Sequence, residues 1–269
     1  MIGVLASTAA VDGSADPPSN ALEWFTHRGF RAVSGPIPER LWPTVWHSSV
    51  ALLVVVAIGV PLGAVLAHRR QGERLASFLV SIGRAIPTVT IVGLAVIVSL
   101  RNGYGFEPWP ILVALVLLGL PPVFANTYAA VRNVDESPVD AARAMGSTER
   151  QVLLRVELPL ALPVVLAGVR TAAVQIVATE PLGAFFGGQG LGFYLSQGLA
   201  IRDNSQVQAG ALLVAAAAMG TEVALILVSR LLVPNGIRRA GGARRTAVRR
   251  RASDAAPSSS ATLPETARL

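Results

Sequence analysis

Five apolar runs separated by short polar stretches organise this chain: about Thr44 to Ala67, Leu75 to Leu100, Trp109 to Val131, Leu158 to Phe186 and Val207 to Val233. Each reaches the roughly 20 residues that a helix needs to cross the hydrocarbon core of a bilayer. Inside lipid every backbone N–H and C=O must find its partner within the protein, so the runs predict helices. The fold class that follows is all-α, a polytopic membrane helix bundle of about five transmembrane helices over residues 44–233, with an N-terminal tail (1–43) and a C-terminal tail (234–269).

The polar interruption between the third and fourth runs has its own pattern. Ser137 is placed to cap a helix with Pro138 at its first position and Asp140 three residues after the cap, and Gly146 ends it. A second cap at Ser147 starts another short helix, with Glu149, Arg150 and Arg155 on polar positions and Val152, Leu153 and Val156 on apolar ones. A plain connector between spans needs only a few residues. Two caps in tandem predict a compact helical hairpin suited to docking.

Composition supports the membrane reading. The chain has 269 residues, 52% of them hydrophobic and only 14% charged, with a mean hydropathy of +0.54, too apolar for an ordinary soluble domain. There are no cysteines, which excludes a disulfide framework and a cysteine metal site. The three histidines, His27, His47 and His68, lack metal-ligand spacing, so neither metal nor cofactor is expected.

The net charge of +7 comes from arginine, since the 23 basic residues include no lysine. Arginines flank alternate ends of the runs: Arg69, Arg70 and Arg74 after the first, Arg132, Arg143, Arg150 and Arg155 after the third, Arg238 to Arg251 after the fifth. The positive-inside rule places those sides, and with them the hairpin and the C-terminus, in the cytoplasm, and the N-terminus outside. Arg28, Arg31 and Arg40 in the N-terminal tail weaken the contrast. The first twenty residues lack the basic and apolar regions of a cleavable signal and read as a loose tail. The C-terminal tail has no periodic apolar face; it is expected to be disordered, with its arginines near anionic headgroups. A nucleic-acid partner is not expected, because the basic run Arg244 to Arg251 lies in a polar tail and not on a folded face.

Polar residues inside the runs are the site candidates. Arg84-Ala85-Ile86-Pro87 interrupts the second, and two readings stand: a kink near a solute pathway, or a packing kink with Arg84 snorkelling to the interface. Glu180, beside Pro181, carries a carboxylate that costs about 2.5 kcal/mol or more in a span unless it meets water or a partner. Three readings stand: it serves the pathway, forms a structural ion pair with Arg84 or Arg170, or lies at the outer interface. Gly183, Gly187, Gly188, Gly190 and Gly192 permit turns and close approach where a broken helix meets the outer mouth, and are read as shaping a gate. Their run lacks the Lys-Ser/Thr ending of a phosphate loop, so no ATP site is expected. Trp42, Trp46, Trp109 and Tyr104 lie close to span ends and read as an interfacial belt in preference to a ligand cage, which would require convergence in space. The spans lack the clustered His, Asp, Cys or Ser of an enzyme pocket.

The hairpin, with Asp140-Ala141-Ala142, Gly146 and Leu158-Pro159, resembles the "EAA" loop of bacterial ABC-importer permeases of the MetI-like type. The likeness continues through GVRTAAVQIVAT, Gly168 to Thr179, and GGQGLG, Gly187 to Gly192, which resemble permeases for glycine betaine, carnitine and choline; it covers most of Thr44 to Val233. Asp140 departs from the usual glutamate, and Glu180-Pro181 stands where the family usually has small or apolar residues. The resemblance implies an osmoprotectant permease subunit in the bacterial inner membrane that is not itself an enzyme. Its implied partners are ABC ATPase subunits that bind the ATP, a second permease copy or paralogue, and an extracytoplasmic solute-binding protein. It implies that Val139, Asp140, Ala141, Ala142, Met145 and Gly146 couple to the ATPase. Arg84, Pro87, Gln175, Thr179, Glu180, Pro181, Gly187, Gly188, Gly190 and Gly192 would form the translocation pathway or gate. The alternatives are a related importer for methionine, nitrate, taurine or phosphonate, and an ion-coupled secondary transporter with Glu180 as its cation site; the absence of a detectable internal repeat counts against the second.

Overall fold

The computed structural model describes residues 20–26, 36–74, 78, 81, 87–106 and 108–232. Its elements are α1 (Ala21–Thr26), α2 (Ile37–His68), α3 (Thr88–Arg101), α4 (Trp109–Arg132), α5 (Glu136–Ala144), α6 (Glu149–Phe186), α7 (Gly192–Ile201) and α8 (Asn204–Leu232). Among the described residues α2, α4, α6 and α8 are long and apolar enough to cross a membrane, and α3 is a shorter apolar helix.

The expected bundle is present with two revisions. The first span begins at Ile37, before its apolar run, because Pro36 and Pro38 open a helix as readily as they end one. In the second run residues 78 and 81 are helical, and a separate helix starts at Thr88 with Pro87 in extended conformation as its N-cap. Pro87 therefore marks a helix boundary where a kink was expected, since a proline disfavours helical geometry in the residue before it and cannot donate to the preceding turn. Arg84 and the tail from residue 233 onward lie outside the described residues.

α4 is the central helix, packed between α2 and α6. Val55, Val92, Leu115, Val123 and Ile176 form one buried layer, and Ala64, Phe124, Tyr128 and Val165 a second layer nearer the hairpin. Lipid supplies no hydrophobic force between helices, so they are held by close packing at small residues. At Gly168 a Cβ would lie 2.6 Å from the Asn126 Cβ and 3.0 Å from the Pro122 carbonyl oxygen. That same carbonyl accepts from the Asn126 side-chain amide at 2.8 Å. A third layer, Trp24, Leu191, Tyr194 and Ala209, joins α1 to α7 and α8 at the end opposite the hairpin. Trp24 stacks edge-on to Tyr194, so the N-terminal region contributes a buried anchor.

Candidate functional site

Polar side chains gather at the hairpin, at the opposite end of the bundle, and at one place between. At the hairpin, α5 ends as its sequence foretold: Gly146 has φ +83°, its N–H donates to the Arg143 carbonyl, and the Ser147 N–H donates to the Ala142 carbonyl. This is a Schellman turn, which satisfies the last carbonyls of α5 through a left-handed residue. The caps differ from expectation by one or two positions. Asp135 precedes α5, leaving Ser137 inside it, and Thr148 caps α6 in a reciprocal capping box with Gln151, where Ser147 was expected. Ser and Thr at adjacent positions compete for the same role, and the glutamine three residues after Thr148 completes the box only there.

The second helix of the hairpin is no separate element. Glu149–Val152 runs into the span through a π-helical segment, Leu153–Glu157. The π turn inserts an extra residue, and Glu157 is buried in it, hydrogen bonded to His68 Nδ1 at 2.7 Å. His68 Nε2 lies 3.1 Å from Glu149 Oε2, and Arg143 forks onto Glu149 with two bonds of 3.0 Å. Arg143 also reaches Asp140 at 3.5 Å, and Arg70 pairs with Glu136. The Arg143 guanidinium holds the Glu149 carboxyl below the usual carboxylate range, the Arg70 guanidinium does the same for Glu136, and Glu149 in turn raises Arg143. The last turn of α2 is thus tied to both arms of the hairpin.

Of the residues expected to meet a partner here, Val139 and Ala142 are instead buried against Val152 and form the hairpin's own core. They lie three apart on the face of α5 that closes on α6. Asp140, Ala141 and Gly146 are exposed, and Met145 is 81% exposed.

At the opposite end, Glu180 meets His47 and not Arg170, while its other expected partner, Arg84, lies outside the described residues. Glu180 is 1% exposed, and its Oε1 accepts from His47 Nδ1 at 2.9 Å. Arg170 pairs with Glu222 at 3.2 Å. Four side chains therefore answer what sequence reading posed as one pair. His47 was passed over because nothing in sequence spacing joins positions 133 apart. The Thr44 Oγ1 accepts from the Leu191 N–H at 2.9 Å. Between the two side chains passes Gly190 (φ +109°), where a Cβ would stand 2.7 Å from Thr44 Oγ1 and 2.8 Å from Glu180 Oε1. Only glycine takes that backbone there. Pro181 opens the 3₁₀ turn Glu180–Phe186, Gly187 and Gly188 turn the chain after it, and Gly192 begins α7 against the Pro181 carbonyl.

Beside Glu180 is a cavity of about 260 Å³, lined by Trp42, Trp46, His47, Phe106, Glu180 and Phe186 among others. The two tryptophans expected in an interfacial belt thus face a shared cavity. Trp109 is held elsewhere, donating to Ser99 Oγ at 3.1 Å.

Between the ends, Arg170 and Glu222 are 39% and 38% exposed within the apolar lengths of α6 and α8. Thr171 and Gln175, one turn apart on α6, are exposed beside them, and Thr179 is half-buried one turn further on.

The residues at positions 59–238 match the family described as binding-protein-dependent transport system inner membrane component. The choline transport system permease protein OpuBB of Bacillus subtilis is 32% identical over 75% of this chain and 92% of its own length. The carnitine transport permease protein OpuCD of Listeria monocytogenes is 33% identical over 74% and 87%. Among solved structures, the MetNI methionine ABC transporter in an inward-facing conformation aligns with a TM-score of 0.65 at 22% identity, over 74% of this chain and 96% of that one. The match is to permeases and not to an enzyme family. The chain belongs to the binding-protein-dependent transport system inner membrane components, as a multi-pass membrane permease.

Proposed function

We propose that this chain is the permease subunit of an ATP-driven importer for quaternary-ammonium osmoprotectants, working as a pair with a second permease. The observation that carries transport is the polar stripe of Arg170, Thr171, Gln175 and Glu222, exposed on helices otherwise fit for lipid. Charged and amide side chains at that depth face a water-filled path or another protein, because hydrocarbon opposes their exposure. Thr179 and Pro87 extend this path, with Arg84 on the same stretch of sequence. The turn at Gly187, Gly188, Gly190 and Gly192 serves as its outer gate. The solute class follows from the choline and carnitine permeases to which the chain is similar.

The arginine pattern sets the hairpin in the cytoplasm and the Glu180 end outside. There the exposed Asp140, Ala141, Met145 and Gly146 meet a separate ATPase that binds the ATP, while Val139 and Ala142 keep the hairpin rigid from within. The network from His68 and Arg70 transmits its movement to α2. A solute-binding protein delivers solute at the opposite face.

The test is uptake of radiolabelled glycine betaine, carnitine and choline into proteoliposomes containing this chain with its ATPase and binding protein. ATP-dependent uptake of one of them is expected. Uptake driven by an ion gradient without ATP would replace the reading with a secondary transporter.

A further inference from the structure

We infer that the cavity beside Glu180 is a binding site for a quaternary ammonium group within the permease itself; the inference rests on the outward placement of this end and on the solute class proposed above. Three observations converge on it.

Four aromatic rings, Trp42, Trp46, Phe106 and Phe186, line one space. Aromatic faces attract cations, and rings gathered around a common centre are the usual means of holding an alkylated ammonium. Trp42 is 68% exposed and Phe106 also lies open, so the space is reached from outside the bundle.

Among the described residues of the lining Glu180 is the acidic one, and none is arginine or lysine. Its Oε1 is engaged by His47, while Oε2 is buried and has no hydrogen-bond partner. An unpaired buried carboxylate oxygen is costly, and a cation in the adjoining cavity offsets that cost through the electrostatic field without needing a hydrogen bond. A methylated ammonium has no N–H to donate and suits such a wall. A primary ammonium carries three N–H donors, of which Glu180 Oε2 would accept one and leave the others facing aromatic rings.

At about 260 Å³ the cavity is below the usual range for drug-sized ligands, roughly 300–1,000 Å³. It has room for a small headgroup. Free choline and the headgroup of a choline lipid present the same chemistry to it.

The experiment measures equilibrium binding of radiolabelled choline to the purified permease–ATPase complex in nanodiscs of phosphatidylethanolamine and phosphatidylglycerol, with no binding protein present. Saturable binding is expected, displaced by tetramethylammonium but not by 3,3-dimethyl-1-butanol, the uncharged carbon isostere of choline. That pair needs no variant and separates charge from shape. Trp46→Ala should weaken binding at least tenfold, with Trp46→Phe retaining most of it, and Glu180→Gln should weaken it comparably. Competition by added phosphatidylcholine would keep the chemistry and assign the natural occupant as a headgroup. Lack of saturable binding, or equal displacement by the neutral isostere, would overturn the inference. Uptake assayed in parallel separates the two proposals: transport with no binding here sinks only this site, and binding with no ATP-dependent uptake sinks only the transport reading.

Discussion

His47 Nδ1 and Glu180 Oε1 meet at 2.9 Å, joining the half of α2 away from the hairpin to the last turns of α6 across 133 residues of sequence. Glu180 is 1% exposed and His47 is buried with it, so neither side chain can turn to solvent if the other is lost. Removing one member of a buried pair costs about 3–5 kcal/mol, because the remaining polar group stays desolvated. His47→Ala is expected to lower the thermal midpoint of the purified protein markedly. Glu180→Gln, which keeps an acceptor oxygen, should lower it much less. A double-mutant cycle of His47→Ala with Glu180→Ala should show non-additivity on the order of 0.5–3 kcal/mol; additive effects would deny the contact.

Gly190 tests the same junction from the backbone. Gly190→Ala would set a methyl 2.7 Å from Thr44 Oγ1 and 2.8 Å from Glu180 Oε1, at a φ of +109° that side chains avoid. Backbone strain of this kind costs about 1–3 kcal/mol. The expected result is a destabilised protein with reduced uptake, read by thermal unfolding and by transport. A wild-type melting curve would mean that the turn does not pass between these side chains.

At the other end the space around Gly146 is open, with nothing but its own chain neighbours within 4 Å of a Cβ placed there. Strain there comes from φ alone. Gly146→Val should cost about 1–2 kcal/mol or more, as expected for a β-branched residue in the left-handed region. Membrane insertion should persist while ATP hydrolysis becomes uncoupled from uptake. Wild-type coupling ratios would remove the Schellman turn from the coupling mechanism.

The ion pairs around the hairpin give a pH dependence with a definite sign. Glu149 and Glu136 are held below their ordinary value of 4.5 by Arg143 and Arg70. A carboxylate depressed on folding contributes stability above its unfolded pKa and loses it as pH falls through the folded one. The share of hairpin docking that these two ion pairs supply should therefore be constant near neutrality and be lost only below about pH 4.5. High salt should loosen it at any pH, because these groups are exposed and screened. Hydrogen-exchange protection of residues 136–152, corrected for intrinsic rates, would report both; loosening as pH falls from 8 to 6 would contradict the assignment.

Arg170 and Glu222 allow a charge-exchange test. Arg170→Glu and Glu222→Arg singly set like charges against each other where the pair now meets at 3.2 Å. Each should reduce assembled protein and uptake, and the double exchange should restore a large part. No restoration would indicate that each charge acts separately toward the path.

Much of this architecture can be read without coordinates. Helices of spanning length follow from composition and run length, because a bilayer leaves the backbone few alternatives. The end of α5 at Gly146 is similarly local, since left-handed geometry selects glycine within a single turn. The caps at Asp135 and Thr148 were missed by one or two residues because Ser137, Ser147 and Thr148 all satisfy the same local rule. Only the position of Gln151 distinguishes the last two.

The sequence alone determined that this is a membrane helix bundle with a polar hairpin between two spans, and placed arginine at alternating ends. Those properties depend on residue type and on separations of a few positions, where physical chemistry acts along the chain. Tertiary structure decided the partners: Glu180 with His47, Arg170 with Glu222, His68 with both Glu149 and Glu157. It also turned Val139 and Ala142 inward and brought Trp42, Trp46, Phe106 and Phe186 around one cavity. Such pairings depend on helix rotation and crossing, which close packing at positions such as Gly168 sets in three dimensions and which linear periodicity leaves undetermined.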